Sequence, residues 1–118
     1  MKLVVNALFG IQVAAIAELL ALLRNSDGDL AAMTEILASL PVTSPAVKGA
    51  LSLMQARLDA PLFPIDLVEK DFAYALGQSD AAALPMTAVG RDVFAKAKAE
   101  GHAALNITAI ARLYQTGA

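Results

Sequence analysis

Residues 1–24 read MKLVVNALFGIQVAAIAELLALLR. From Leu3 to Ala17 no side chain is charged, and the apolar residues fall on every side of a 3.6-residue helix. A helix that is apolar nearly all round is one buried on several sides. Two other readings compete with that one. Met1-Lys2 ahead of an apolar run, with Ala15-Ile16-Ala17 in the place of a cleavage site, mimics a secretory signal. The same run also suggests a membrane span, but its uncharged part is fifteen residues and contains Asn6, Gly10 and Gln12, where a span needs about twenty apolar residues. Apolar residues continue past Glu18 through Leu19, Leu20, Leu22 and Leu23 without a break. The stretch is therefore expected to be one long, buried helix, in no contact with a membrane. A small secreted or anchored bundle stands behind that reading.

Working outward, Asn25-Ser26-Asp27-Gly28 stops the helix with turn chemistry. A second helix, near Asp29 to Leu40, carries Leu30, Met33, Ile36, Leu37 and Leu40 at helical spacing, and Pro41 ends it. Ser44-Pro45 reads as an N-cap followed by proline in the first turn of a third helix, with Val47, Leu51, Met54 and Leu58 facing inward. Asp59-Ala60-Pro61 breaks the chain, and Pro64 opens a fourth helix reaching about Ser79. Leu84-Pro85 starts a fifth, carrying Val89, Val93 and Ala97, with Gly101 placed to cap its end. Asn106 is set to N-cap a short sixth helix containing Ile107, Ile110, Leu113 and Tyr114. No segment alternates as a strand does, so the fold class is all-α, a six-helix bundle in one domain spanning residues 1–118.

Composition narrows the functions. The chain is 58% hydrophobic and 17% charged over 118 residues, more apolar surface than a small monomer hides, so part of it is expected to meet another domain or subunit. A net charge of −2 with scattered basic residues gives no electrostatic case for nucleic acid. With no cysteine and a single His102, neither a disulfide framework nor a thiolate nucleophile nor a histidine metal cluster is available. His102 itself reads as a surface loop residue, and Met33, Met54 and Met86 as core fillers.

Two places have chemistry to offer. On the fourth helix Ile65, Val68, Phe72 and Leu76 share the core-facing sector, while Phe63, Leu67, Lys70 and Tyr74 share the opposite one. A lysine among large apolar side chains on an outward face marks a surface that meets a ligand or partner; equally, its stem snorkels over exposed apolar residues. Asp66 and Lys70 are spaced for an i,i+4 ion pair, and Arg91, Lys96 and Lys98 read as a solvated face. At the start of the first helix Lys2 and Asn6 lie one turn apart on one face. A desolvated lysine is a usable proton donor or acceptor and an amide one turn away can hold an oxygen; the plain alternative is a solvated chain end.

Taken together, the chain resembles the C-terminal domain of the β-hydroxyacid dehydrogenase family over essentially its whole length. Lys2-Leu3-Val4-Val5-Asn6 is similar to the family's K-x-x-x-N at the start of its long interdomain helix, and Phe63 through Lys70-Asp71 to its segment ending in Lys-Asp. Leu84-Pro85-Met86-Thr87 and Gly101-His102 through Ile107-Thr108-Ala109 sit where the family has a proline-started helix, a glycine and a short terminal helix. Each motif is short; it is their order and spacing that carry the likeness.

The resemblance implies a helical domain like the C-terminal domain of 6-phosphogluconate dehydrogenase, serving an NAD(P)-dependent oxidoreductase that acts on a small 3-hydroxy acid or its semialdehyde. Lys2 matches the catalytic lysine that exchanges a proton with the substrate oxygen. Asn6 matches the substrate-binding asparagine, Phe63 a residue lining the substrate site, and Lys70 and Asp71 residues at the cofactor. The family's dinucleotide-binding Rossmann half carries a G-x-G-x-x-G turn, and these 118 residues contain no such turn. That half is therefore expected to be a partner outside this chain. NAD or NADP would be bound in the complete enzyme, and neither it nor a metal by the chain alone. Leu3 to Leu23 is too apolar all round for the short helices to cover, so a homodimer through the first helix is expected, and the absence of cysteine is compatible with a cytoplasmic protein. Asn106 stands where an aspartate is common, and Val5 where 6-phosphogluconate dehydrogenase itself would have histidine. The Lys-Leu-Val-Val-Asn form leans towards a semialdehyde or glyoxylate reductase. The competing hypothesis is a helical dimerisation or interaction module without chemistry.

Overall fold

The computed structural model describes residues 1–57 and 61–114, and of residue 81 only the backbone. Its elements are α1 (Lys2–Arg24), α2 (Leu30–Ser39), α3 (Pro45–Ala56), α4 (Ile65–Gly77) and α5 (Pro85–Ala97), followed by a π-turn (Lys98–His102) and a terminal 3-10 helix (Ile107–Tyr114). A short 3-10 turn, Ala81–Ala83, precedes α5. Among the described residues no strand forms, and one isolated bridge pairs Pro64 with Asn106. The all-α expectation holds.

α1 is the hub, packed against α3, α4, α5 and the terminal helix. It buries Ala7, Gly10, Val13, Ala14, Ile16, Ala17 and Leu20. It runs for 23 residues, and its most apolar 18-residue stretch has a mean hydropathy of 2.0, enough in length and composition to cross a membrane. One third of that stretch is buried, so the expectation of a helix buried on several sides is met on its inner face alone. Its central place in the bundle, rather than its length, marks it as a core helix.

The centre of the core is a close approach of three helices around one ring. A Cβ on Gly10 would stand 2.7 Å from the Phe72 ring, and one on Gly90 would stand 2.9 Å from it. Phe72 is therefore clasped between bare backbone of α1 and α5, and it stacks on Phe94 with centroids 5.5 Å apart. Gly90, Phe94 and Ala97 form the buried stripe of α5. Of the three apolar residues noted on this helix, Ala97 is buried and Val93 packs against the core, while Val89 is 63% exposed. The glycine lets α5 turn its small-residue side to Phe72, which rotates Val89 outward. On α4, Ile65, Val68 and Phe72 are buried as read from the sequence.

At the periphery the pattern is looser. α2 is capped by Asp29, whose Oδ1 accepts from the Ala32 amide at 3.3 Å. Its buried residue is Thr34, which satisfies its hydroxyl by donating to the Leu30 carbonyl at 2.7 Å. Ile36 and Leu40, expected inward, are exposed. α3 starts as expected, with the Ser44 Oγ accepting from the Val47 amide and donating to Gln12 Oε1 at 2.9 Å. Val47, Ala50, Leu51 and Met54 are buried, and Leu58 and the Asp59-Ala60 break lie outside the described residues. Met86 is exposed rather than a core filler. Gly101 adopts a φ of 93° after α5, a conformation glycine takes without steric cost, and it turns the chain back towards the start of α4.

Candidate functional site

Lys2, Asn6, Phe9 and Val13 follow one another at helical spacing along one side of α1. Val13 is fully buried in the core. Three turns earlier the same stripe has emerged at the seam between α1 and α4, where the apolar residues give way to Asn6 and Lys2.

Two contacts cross that seam. Asn6 Nδ2 donates to Asp71 Oδ2 at 2.9 Å, in a partly buried setting, and its Oδ1 takes no part in that bond. Phe9 meets Phe63 edge to face, with centroids 5.9 Å apart and planes at 63°. Lys2 lies one turn before Asn6 and is exposed. Beside the seam, Phe63, Leu67, Lys70 and Tyr74 are all exposed, as the opposite-sector reading of α4 required. Asn6 and Asp71 thus meet directly, while Lys2 and Lys70 project from neighbouring positions.

Lys2 also borders a groove of about 650 Å³ on the other flank of α1, lined by Val4, Leu8, Ile11, Ala75, Gln78 and Thr87 among others. Asn6, Phe63, Lys70 and Asp71 do not line it. Asn6, Asp71 and Phe63 instead make contacts across the seam, with Lys2 one turn from it and Lys70 beside it.

Charges near the site are arranged differently from the sequence expectation. Asp66 pairs with Lys98 at 2.9 Å, not with Lys70. The Lys98 hydrogen bond holds the Asp66 carboxyl below its usual value against some desolvation, with the charges of Lys98 and Lys70 adding to it. Arg91 meets Glu69 at 3.4 Å, so two of the three cations assigned to a solvated face are tied to α4. Lys70 projects free of the ion pair proposed for it.

The start of α4 bears on where a dinucleotide phosphate could bind. Helix N-termini attract phosphate through unused backbone N–H groups. Here the Ile65 and Asp66 amides donate to the Leu105 and Ala103 carbonyls, both at 2.9 Å, so this N-terminus is already satisfied. The start of α4 therefore offers no phosphate cradle, and Lys70 is an exposed cation further along the same helix. Among the described residues no cluster of histidine, cysteine or carboxylate groups is arranged to hold a metal.

Asn106 takes a different part from the one its place in the sequence suggests. It does not N-cap the terminal helix; its buried Oδ1 instead accepts from the Leu62 amide at 3.2 Å and the Phe63 amide at 2.9 Å. A polar residue between Leu105 and Ile107 in a segment otherwise bound for the core was the available signal. Phe9 was passed over because an apolar residue in an apolar helix carries no local mark.

The helical fold and its seam can be set beside known proteins. The chain belongs to the family described as NAD-binding of NADP-dependent 3-hydroxyisobutyrate dehydrogenase, whose model matches residues 1–114. It is 32% identical over 112 residues to glyoxylate/succinic semialdehyde reductase 1 of Arabidopsis thaliana, covering 93% of this chain and 39% of that protein. Its fold is similar to that of 3-hydroxyisobutyrate dehydrogenase from Salmonella typhimurium, with a TM-score of 0.85 and 20% identity over 95% of this chain and 40% of the other. The chain spans about two-fifths of the length of these relatives.

Proposed function

We propose that this chain is the helical C-terminal domain of an NAD(P)-dependent oxidoreductase that interconverts a small 3-hydroxy acid and its semialdehyde. Its helical half would be of the kind found in 6-phosphogluconate dehydrogenase, and its partner a Rossmann half outside these residues. The carrying observation is the Asn6–Asp71 hydrogen bond one turn from Lys2. A structural helix has no need of a lysine, an oriented amide and a carboxylate where its core stripe reaches the surface. Membership of the family and the likeness to a semialdehyde reductase support the same reading.

In this reading the coenzyme supplies or accepts hydride at the substrate carbon. Lys2 gives a proton to the carbonyl oxygen as it becomes a hydroxyl, and takes it back in oxidation. Asn6 turns its Oδ1 towards the substrate hydroxyl because its Nδ2 is held by Asp71. Asp71 therefore acts on the substrate side, through Asn6, although it neighbours the cofactor-side Lys70 in sequence. Phe63 covers the apolar flank of the substrate. The exposed Val4, Val5, Leu8 and Leu22 of α1 are the surface through which a homodimer would form.

The test is coenzyme oxidation by the chain joined to its dinucleotide-binding half, with small semialdehydes as substrates. Lys2→Ala should lower kcat by about 10²–10⁴-fold, the usual contribution of a positioned acid–base group, and leave coenzyme affinity intact. Unchanged turnover would reduce α1 to a structural spine. By calorimetry the isolated chain should bind neither coenzyme, and micromolar binding would move the phosphate site into these residues.

A further inference from the structure

We infer that Asn106 is a positioning residue that sets Phe63 at the rim of the seam; this rests on the proposal that Phe63 contacts substrate. Phe63 combines two properties rarely found together. Its side chain is 56% exposed, yet its backbone is held on both sides: its amide donates to Asn106 Oδ1 at 2.9 Å, and its carbonyl accepts from the Ile107 amide at 2.7 Å. The ring's recorded aromatic contact is the edge-to-face one with Phe9. An exposed aromatic on an immobilised backbone binds a ligand with little ordering cost.

The clamp is anchored in the core. Asn106 is 2% exposed, and Ile107, Thr108, Ala109 and Ile110 after it are all buried. Its carbonyl end is fully engaged, Oδ1 serving the Leu62 and Phe63 amides, and Nδ2 donates one of its two hydrogens to Thr108 Oγ1 at 2.8 Å. A buried amide contributes less to stability than an apolar residue of the same size unless its bonds are made. Leucine here would fill the space and leave two amides without an acceptor. Aspartate would keep the acceptor for both amides, and the Thr108 hydroxyl can reverse to donate to it.

The experiment uses Asn106→Ala, Asn106→Asp, Phe63→Ala and the double variant Phe63→Ala/Asn106→Ala. Amide hydrogen exchange on the 118-residue chain reads the clamp; KM and kcat for a small semialdehyde, in the enzyme joined to its dinucleotide half and well below its melting temperature, read the function. Asn106→Ala should lose protection at Leu62 and Phe63 and raise KM about tenfold, within the ~10²-fold that a 1 Å misplacement can cost. Asn106→Asp should keep both near wild type. In the Phe63→Ala background, Asn106→Ala should raise KM no further. Additive effects, an unmoved KM in Asn106→Ala, or no rescue by Asn106→Asp would each overturn the positioning role. If Phe63→Ala itself leaves KM unchanged, the site reading falls and this inference falls with it, and retained amide protection identifies that case.

Discussion

One stripe of α1 passes through two environments. From Val13 through Ile16 to Leu20 it is sealed in the core. From Phe9 through Asn6 to Lys2 it lies along the seam with α4, where a ring contact gives way to an amide–carboxylate bond and then to an exposed lysine. At the core end every residue is explained by packing. At the open end packing explains Phe9 alone, and Lys2, Asn6 and Asp71 need another reason to be there. The two regions should therefore fail differently, the core losing stability and the seam losing activity.

The largest separation of the two should come from Gly10. Alanine is the better helix former by about 1 kcal/mol, yet its Cβ would stand 2.7 Å from two carbons of the Phe72 ring. That ring cannot retreat, because Gly90 presses it from the other side and Phe94 stacks on it. Overpacking of this kind costs about 1–3 kcal/mol, and Gly10→Ala should lower the denaturant midpoint accordingly. Below the transition its KM should stay unchanged. A neutral or stabilised Gly10→Ala would mean that the three-helix approach is looser than described.

Much of this was legible in the sequence. Helix number and order followed from turn chemistry at Asn25-Ser26-Asp27-Gly28, Pro41, Ser44-Pro45 and Leu84-Pro85, because those residues act locally. The two faces of α4 followed from its spacing. What escaped depended on long-range approach. Gly10 and Gly90 look like weak points in their helices until Phe72 is placed between them, and that reversal turned Val89 outward. α2 was misread because its few core contacts leave Ile36 exposed and Thr34 buried. At the site, Lys2, Asn6, Phe63, Lys70 and Asp71 were each nameable, but the Asn6–Asp71 bond joins residues 65 positions apart, and no local pattern announces it.

The seam should respond in the opposite sense. Asn6→Ala removes the oriented amide and strands a partly exposed carboxylate, so stability should change little. In the complete enzyme of the proposed reading KM should rise and kcat fall together, by about tenfold in kcat/KM, or roughly 1.4 kcal/mol. Lys70→Ala should instead weaken coenzyme binding with kcat preserved. Steady-state kinetics with coenzyme titration separates the two; identical behaviour of both variants would merge substrate and cofactor sides into one.

The smallest effect belongs to a contact that is neither core nor site. Asp66 and Lys98 join the start of α4 to the π-turn at 2.9 Å, with both side chains well exposed. Lys98, hydrogen-bonded to Asp66, holds that carboxyl below its ordinary 3.8, and Asp66 in turn raises Lys98 above its ordinary 10.5. For the carboxyl, the stabilising contribution is complete above the unfolded value and is lost as pH falls through the lower folded one. For the lysine it is complete below the unfolded value and is lost as pH rises through the higher folded one. The difference in denaturant midpoint between the wild type and Asp66→Asn should therefore be small and flat from about pH 5 to pH 9, and shrink at either extreme. Salt should shrink it too, since exposed pairs are screened. The junction itself should survive, because the Ile65 and Asp66 amides remain bonded to the Leu105 and Ala103 carbonyls. If Asp66→Asn instead released the Phe63 amide to exchange, the ion pair rather than the backbone ladder and Asn106 would be holding the rim of the seam.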